Sequence, residues 1–128
     1  DRRLIMRALI VDDSRAMRAL LRSILVELGF EVLEAGNGKL ALDVLTEQGA
    51  VDFCLVDWNM PEMDGLEFVK ALRGHRAYAE IKVMMVTAEN DPAKMARALM
   101  VGADEYAMKP LSRDAIVEKL SLLGVTAA

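Results

Sequence analysis

Short apolar runs alternate with segments of helical period five times along the chain. The first run, Ala8, Leu9, Ile10 and Val11, is continuous and ends at Asp12 and Asp13. Ser14 then stands as a helix cap before Met17, Leu20, Leu21, Ile24, Leu25 and Leu28, a spacing that puts all six on one stripe, with Gly29 as the stop. Residues 31–35 read as a shorter second strand, Asn37 and Gly38 as a turn, and Leu40, Ala41, Val44 and Leu45 as the next helical face. A third strand over 52–56 ends at Asp57. The loop from Trp58 to Pro61 leads to a helix carrying Leu66, Val69 and Leu72. Residues 83–86 predict a fourth strand ending at Thr87, followed by Asp91 as cap, Pro92 as first helical residue and Gly102 past the end. The fifth strand covers 105–108 and ends at Lys109 and Pro110; Ser112 caps a last helix with Ile116, Leu120 and Leu123 on its face.

The first, third and fourth strands are apolar throughout, which suits inner strands of a parallel sheet covered on both faces. The alternation therefore predicts one α/β domain of (βα)5 form with right-handed crossovers. A length of 128 residues leaves little room for a second domain. The chain opens at Asp1 rather than Met, so residues 1–5 read as an upstream extension, 6–124 as the domain and 125–128 as a tail.

Charge narrows the partners. Sixteen Lys and Arg against 20 Asp and Glu give a net charge of −4, which disfavours sequence-independent binding to nucleic acid. No apolar run approaches the length of a membrane-spanning helix, so membrane insertion is not expected. The single cysteine, Cys54, lies in an apolar run and reads as a small buried hydrophobe. With no disulfide framework and no visible leader, the expected setting is the reducing cytoplasm. A monomer is the default.

In an open parallel sheet, ligands bind beyond the carboxyl ends of the strands. Those ends carry Asp12 and Asp13, then Asp57 with Asn59 two residues on, then Thr87 with Glu89 two residues on, then Lys109. Clustered carboxylates repel, and a hard divalent cation removes the conflict. Metal-assisted phosphoryl transfer onto Asp57 follows, with Lys109 pairing to the phosphoryl oxygens and Thr87 donating to one of them. Singly, each residue has a plainer reading: Asp12 and Asp13 as acids at a helix start, Asp57 as a turn cap, Thr87 as a β-branched strand residue. Their joint placement with Lys109 makes those readings minor. His75 sits in a polar loop with no partner spacing. The segment 36–39 lacks the glycine spacing of a phosphate loop, and 57–62 lacks the Gly of a calcium loop.

The set Leu9-Ile10-Val11-Asp12-Asp13, Leu55-Val56-Asp57, Met60-Pro61 with Asp64-Gly65, Val86-Thr87-Ala88 and Lys109-Pro110 resembles the receiver domain of two-component response regulators. The resemblance runs over 6–123. It implies a doubly wound, flavodoxin-like sheet of strand order 2-1-3-4-5. It also implies that Asp12, Asp13, Asp57 and the Asn59 backbone carbonyl hold Mg²⁺, with Mn²⁺ as a substitute, and that Asp57 accepts a phosphoryl group from a histidine kinase. Thr87 and Tyr106 would form the switch pair, Asn59 and Glu89 would modulate phosphoryl lifetime, and the Lys109–Pro110 peptide would be cis. Trp58, Asn59, Glu89 and Tyr106 narrow the likeness to stand-alone chemotaxis regulators, whose partners are the flagellar motor switch and a phosphatase. Met95, Met100 and Met108 lie where such receivers meet partners. Two other functions use the same acceptor: a phosphate sink or relay, or a receiver cut from a longer regulator. A small-molecule phosphatase with an aspartyl-phosphate intermediate is disfavoured, because no inserted cap is visible to select a substrate. In each favoured reading the domain is not an enzyme acting on external substrate; it catalyses only its own phosphorylation and dephosphorylation.

Overall fold

The computed structural model describes residues 5–88 and 90–125. Five strands, β1 (Arg7–Val11), β2 (Glu31–Ala35), β3 (Phe53–Val56), β4 (Lys82–Thr87) and β5 (Glu105–Met108), alternate with five helices. The helices are α1 (Arg15–Glu27), α2 (Gly38–Gln48), α3 (Gly65–Arg73), α4 (Pro92–Val101) and α5 (Arg113–Leu122). All pairings are parallel and the spatial order is β2-β1-β3-β4-β5.

Because side chains alternate along a strand, each inner strand serves two cores. Leu9, Val11, Cys54, Val56, Val83 and Met85 face one side, where Ala41 and Leu45 of α2, Phe68, Val69 and Leu72 of α3, and Ala98 of α4 cover them. Ala8, Ile10, Phe53, Leu55, Met84 and Val86 face the other, against Leu21 and Leu25 of α1 and Ile116 and Leu120 of α5. Val125 also packs in this second core, and its N–H donates to the Leu120 carbonyl. With cores on both faces, the rim loops after β1, β3 and β4 are each pinned by a buried strand behind them.

The helix starts follow the expected chemistry. Ser14 accepts from the Met17 N–H, Asp91 from Ala93 and Ser112 from Ala115. Asp64 and Glu67 form a reciprocal capping box at α3. Asn37 and Gly38 are not a free turn: Asn37 caps α2 by accepting from the Leu40 N–H, and Gly38 is its first residue. The reason for glycine there is space, since a Cβ would stand 2.7 Å from Met63 Cγ and 2.9 Å from Phe68 Cβ. Two stripe positions are outside the core. Leu20 is 50% exposed and Leu40 49% exposed, because each lies at the margin of a stripe that only partly faces the sheet.

Candidate phosphoacceptor and cation site

The site is assembled by the register of the inner strands. Val11 pairs with Val56, so the residues that follow them, Asp12 and Asp57, leave the sheet side by side. One ligand atom from each of Asp12, Asp13 and Asp57 can lie within 4.8 Å of the others. Lys109, arriving from β5, donates to Asp12 Oδ2 at 2.9 Å and to Asp57 Oδ2 at 3.2 Å. Its backbone N–H donates to the Thr87 carbonyl at 2.9 Å, and the Lys109–Pro110 peptide is cis.

Asp12 is held at every polar atom. Its N–H donates to the Ala35 carbonyl, Oδ1 accepts from the Ser14 N–H at 2.8 Å, and its carbonyl accepts from Arg18 Nη1 at 2.7 Å. Asp57 Oδ1 accepts from the Trp58 N–H at 2.8 Å, while Oδ2 faces Lys109. Behind it, a Cβ on Gly65 would stand 2.1 Å from the Asp57 backbone oxygen, so α3 starts in contact with the Asp57 loop only because residue 65 is glycine. Asp64 and Gly65 belong to the motif set, yet the sequence carries no sign of this close approach.

Burial pushes the Asp57 carboxyl above its ordinary value. Lys109 opposes the rise, the negative Asp12 adds to it, and the rise prevails. Burial alone would lower the Lys109 ammonium, but hydrogen bonds and charge from Asp12 and Asp57 outweigh it and hold the ammonium above its ordinary value. One ammonium thus leaves three carboxylates incompletely neutralised. A donor set made only of carboxylate oxygens, with Asp13 open to solvent, fits a hard divalent cation that keeps part of its water.

Thr87, 1% exposed, closes β4; Tyr106, 5% exposed, lies on β5 opposite Met85. By strand alternation Thr87 and Tyr106 share the sheet face that α4 covers. Asn59, two residues after Asp57, is exposed. Glu89 lies outside the described residues. Trp58 is buried, with Lys94 Nζ of α4 over its ring at 5.6 Å from the centroid. Met100 is 86% exposed, whereas Met95 and Met108 pack against the first core. Arg18 was not singled out by the sequence, where it falls between two stripe positions as an ordinary solvated charge.

The sequence model of the response regulator receiver domain matches residues 8–121. The chain belongs to the response regulator receiver family. It is 42% identical over 116 residues to a chemotaxis protein CheY homolog of Campylobacter jejuni, covering 90% of this chain and 89% of that one. Among solved structures, Vibrio cholerae chemotaxis protein CheY4 superposes with a TM-score of 0.87 at 33% identity, over 92% of this receiver and 98% of that chain. The CheX-CheY-BeF3-Mg²⁺ complex from Borrelia burgdorferi gives a TM-score of 0.86 at 25% identity, over 94% and 90%. This receiver is thus CheY-like. Among its described residues, no helix is long and apolar enough to cross a membrane.

Proposed function

We propose that this receiver is a phosphorylation-activated regulator of a two-component chemotaxis pathway, with Asp57 as phosphoacceptor. The observation that carries the reading is Lys109 bridging Asp12 and Asp57 at the rim where Asp13 completes an acidic cluster. Asp57 Oδ1 and Oδ2 are fixed by one donor each, so the carboxylate presents a defined oxygen to an incoming phosphorus. That oxygen forms a bond to phosphorus as the bond to the donor imidazole of a histidine kinase breaks, and the imidazole keeps the electron pair. The Lys109 ammonium follows the phosphoryl oxygens as a point charge. Asp12, Asp13, Asp57 and the Asn59 carbonyl would hold Mg²⁺, or Mn²⁺ in its place, which when bound supplies charge neutralisation at the phosphoryl oxygens. The Borrelia neighbour, with BeF3 and Mg²⁺ in its complex, supports an anion and a divalent cation for this class of site.

The output follows from Thr87 and Tyr106 sharing one face. A Thr87 hydroxyl drawn to the phosphoryl group vacates space that the Tyr106 ring can occupy, so the two positions bias one equilibrium together. Partner affinity at α4 and β5 then changes, with the flagellar motor switch as listener. Asn59, two residues after Asp57, and Glu89, two residues after Thr87 in the sequence, regulate access of the hydrolytic water, and a phosphatase completes the cycle. The chain acts in the cytoplasm, as a monomer, on its own acceptor only.

The test pairs chemistry with binding. Incubation with a small phosphodonor and Mg²⁺ should add one phosphoryl group by intact mass to the wild type and none to Asp57→Asn. The phosphorylated protein should then bind a motor-switch peptide more tightly than the unphosphorylated one. Equal affinities would remove the output reading while leaving the acceptor in place.

A further inference from the structure

The acidic cluster has a further support in α1 and β2. Asp13 is exposed, and its carboxylate has no hydrogen-bond partner among the described residues. Its direction is therefore set by its backbone, beginning with the peptide that joins it to Asp12. The oxygen of that peptide is the Asp12 carbonyl, and Arg18 Nη1 holds it at 2.7 Å. Arg18 is fixed in turn: its Nε donates to Glu34 Oε1 at 3.1 Å, and Arg22 Nη1 takes Glu34 Oε2 at 2.9 Å. The chain Arg22–Glu34–Arg18–Asp12 thus runs from α1 to Glu34 on β2 and back through α1 to the rim.

Charge alone does not account for this arrangement. A guanidinium beside a cation site repels the cation, and Glu34 is shared between two arginines, so it cannot cancel both. What Arg18 offers is geometry. A planar fork reaches a carboxylate with one edge and a carbonyl with another, which an ammonium does less well. Resting on the reading that Asp12, Asp13 and Asp57 hold Mg²⁺, we infer that Arg18 is a positioning residue for that site: it locks the Asp12–Asp13 peptide so that both carboxylates meet the cation in one geometry. Outer partners that orient ligands cost about 10–100-fold in metal affinity when removed. For a carbonyl contact one bond behind the ligands, the expected loss is at the lower end, about tenfold.

The two roles predict opposite signs. Removing a merely repulsive charge tightens Mg²⁺ binding, whereas removing a positioning contact weakens it. The wild-type chain, Arg18→Met and Arg18→Lys are titrated with MgCl2, following the fluorescence of Trp58 next to Asp57, and their melting temperatures are measured with and without MgCl2. The inference expects Arg18→Met to bind Mg²⁺ about tenfold more weakly and to lose part of the Mg²⁺-induced rise in melting temperature. Arg18→Lys, which keeps the charge but not the fork, should fall between it and the wild type, and it carries the test where Arg18→Met does not fold. Unchanged or tighter Mg²⁺ affinity in the variants overturns the inference, as does lower metal-free stability with an unchanged Mg²⁺ response, since that is a structural role only. A wild type that binds no Mg²⁺ overturns the inference together with the cation reading; variants that match a binding wild type overturn the inference alone.

Discussion

A Cβ on Gly65 would meet the Asp57 backbone oxygen at 2.1 Å, and neither atom has a flexible end that could yield. Gly65→Ala is therefore expected to cost about 2–4 kcal/mol and to push the Asp57 loop out of place. Urea denaturation measures the first effect and phosphoryl uptake by the folded fraction the second. A variant with wild-type values in both would show that the loop has slack the geometry denies. The same scale shows where the sequence is informative and where it is not. Asp12, Asp57 and Lys109 are legible because strand ends in a parallel sheet converge, whatever the details of packing. Gly65 and Arg18 are not, because their importance lies in contacts with backbone atoms of residues far away or a turn back along the chain. A side-chain pattern carries no trace of a carbonyl's position.

The elements are joined by one residue that reads as ordinary in the sequence. Arg73, at the end of α3, stands in a polar stretch and looks like a solvated charge. In the fold its Nε donates to the Gly102 carbonyl at 3.0 Å, Nη1 to the Tyr78 and Ala79 carbonyls at 3.2 and 3.3 Å, and Nη2 to Asp104 Oδ2 at 3.0 Å. Asp104 Oδ2 also accepts from the Val83 N–H at 2.8 Å, so α3, the end of α4 and the entry to β4 are tied together. Arg73→Ala should lower stability by about 2–3 kcal/mol, since several carbonyls and a charged carboxylate lose their donor at once. The expected signature is a lower urea midpoint with an unchanged slope. A loss below about 0.5 kcal/mol would place Arg73 among ordinary surface charges. Strands, helix faces and the caps at Ser14, Asp91 and Ser112 were legible here because period and capping are local; the caps at Asn37 and Asp64 were not. The short 3-10 turn over Arg76–Tyr78 was not, since it has too few residues to show a period.

At the scale of the molecule, the two-sided sheet makes its centre very dry. Burial pushes the Cys54 thiol up to about 12 from an ordinary 9.0, with Arg73 opposing only in part. Below pH 9.0 the thiol is neutral in both folded and unfolded chains and contributes no pH dependence. Between 9.0 and about 12 the unfolded chain loses that proton while the folded one keeps it, so stability falls as pH rises. The slope from this group is about 1.4 kcal/mol per pH unit. Cys54→Ala should lack that component in denaturant titrations across the range, and an identical pH profile in both proteins would contradict the assignment. Strand order 2-1-3-4-5 came from resemblance rather than from pattern, because periodicity identifies strands but does not rank their neighbours. Once the order is in place, the sheet brings four distant stretches to one rim.

The most direct test of the central claim is to locate the phosphoryl group. After reaction with a small phosphodonor and Mg²⁺, borohydride reduction converts an aspartyl phosphate to homoserine, which peptide mass spectrometry can place. Homoserine is expected at position 57 and nowhere else. Homoserine at Asp12 or Asp13, or none despite an intact-mass adduct, would contradict the central claim.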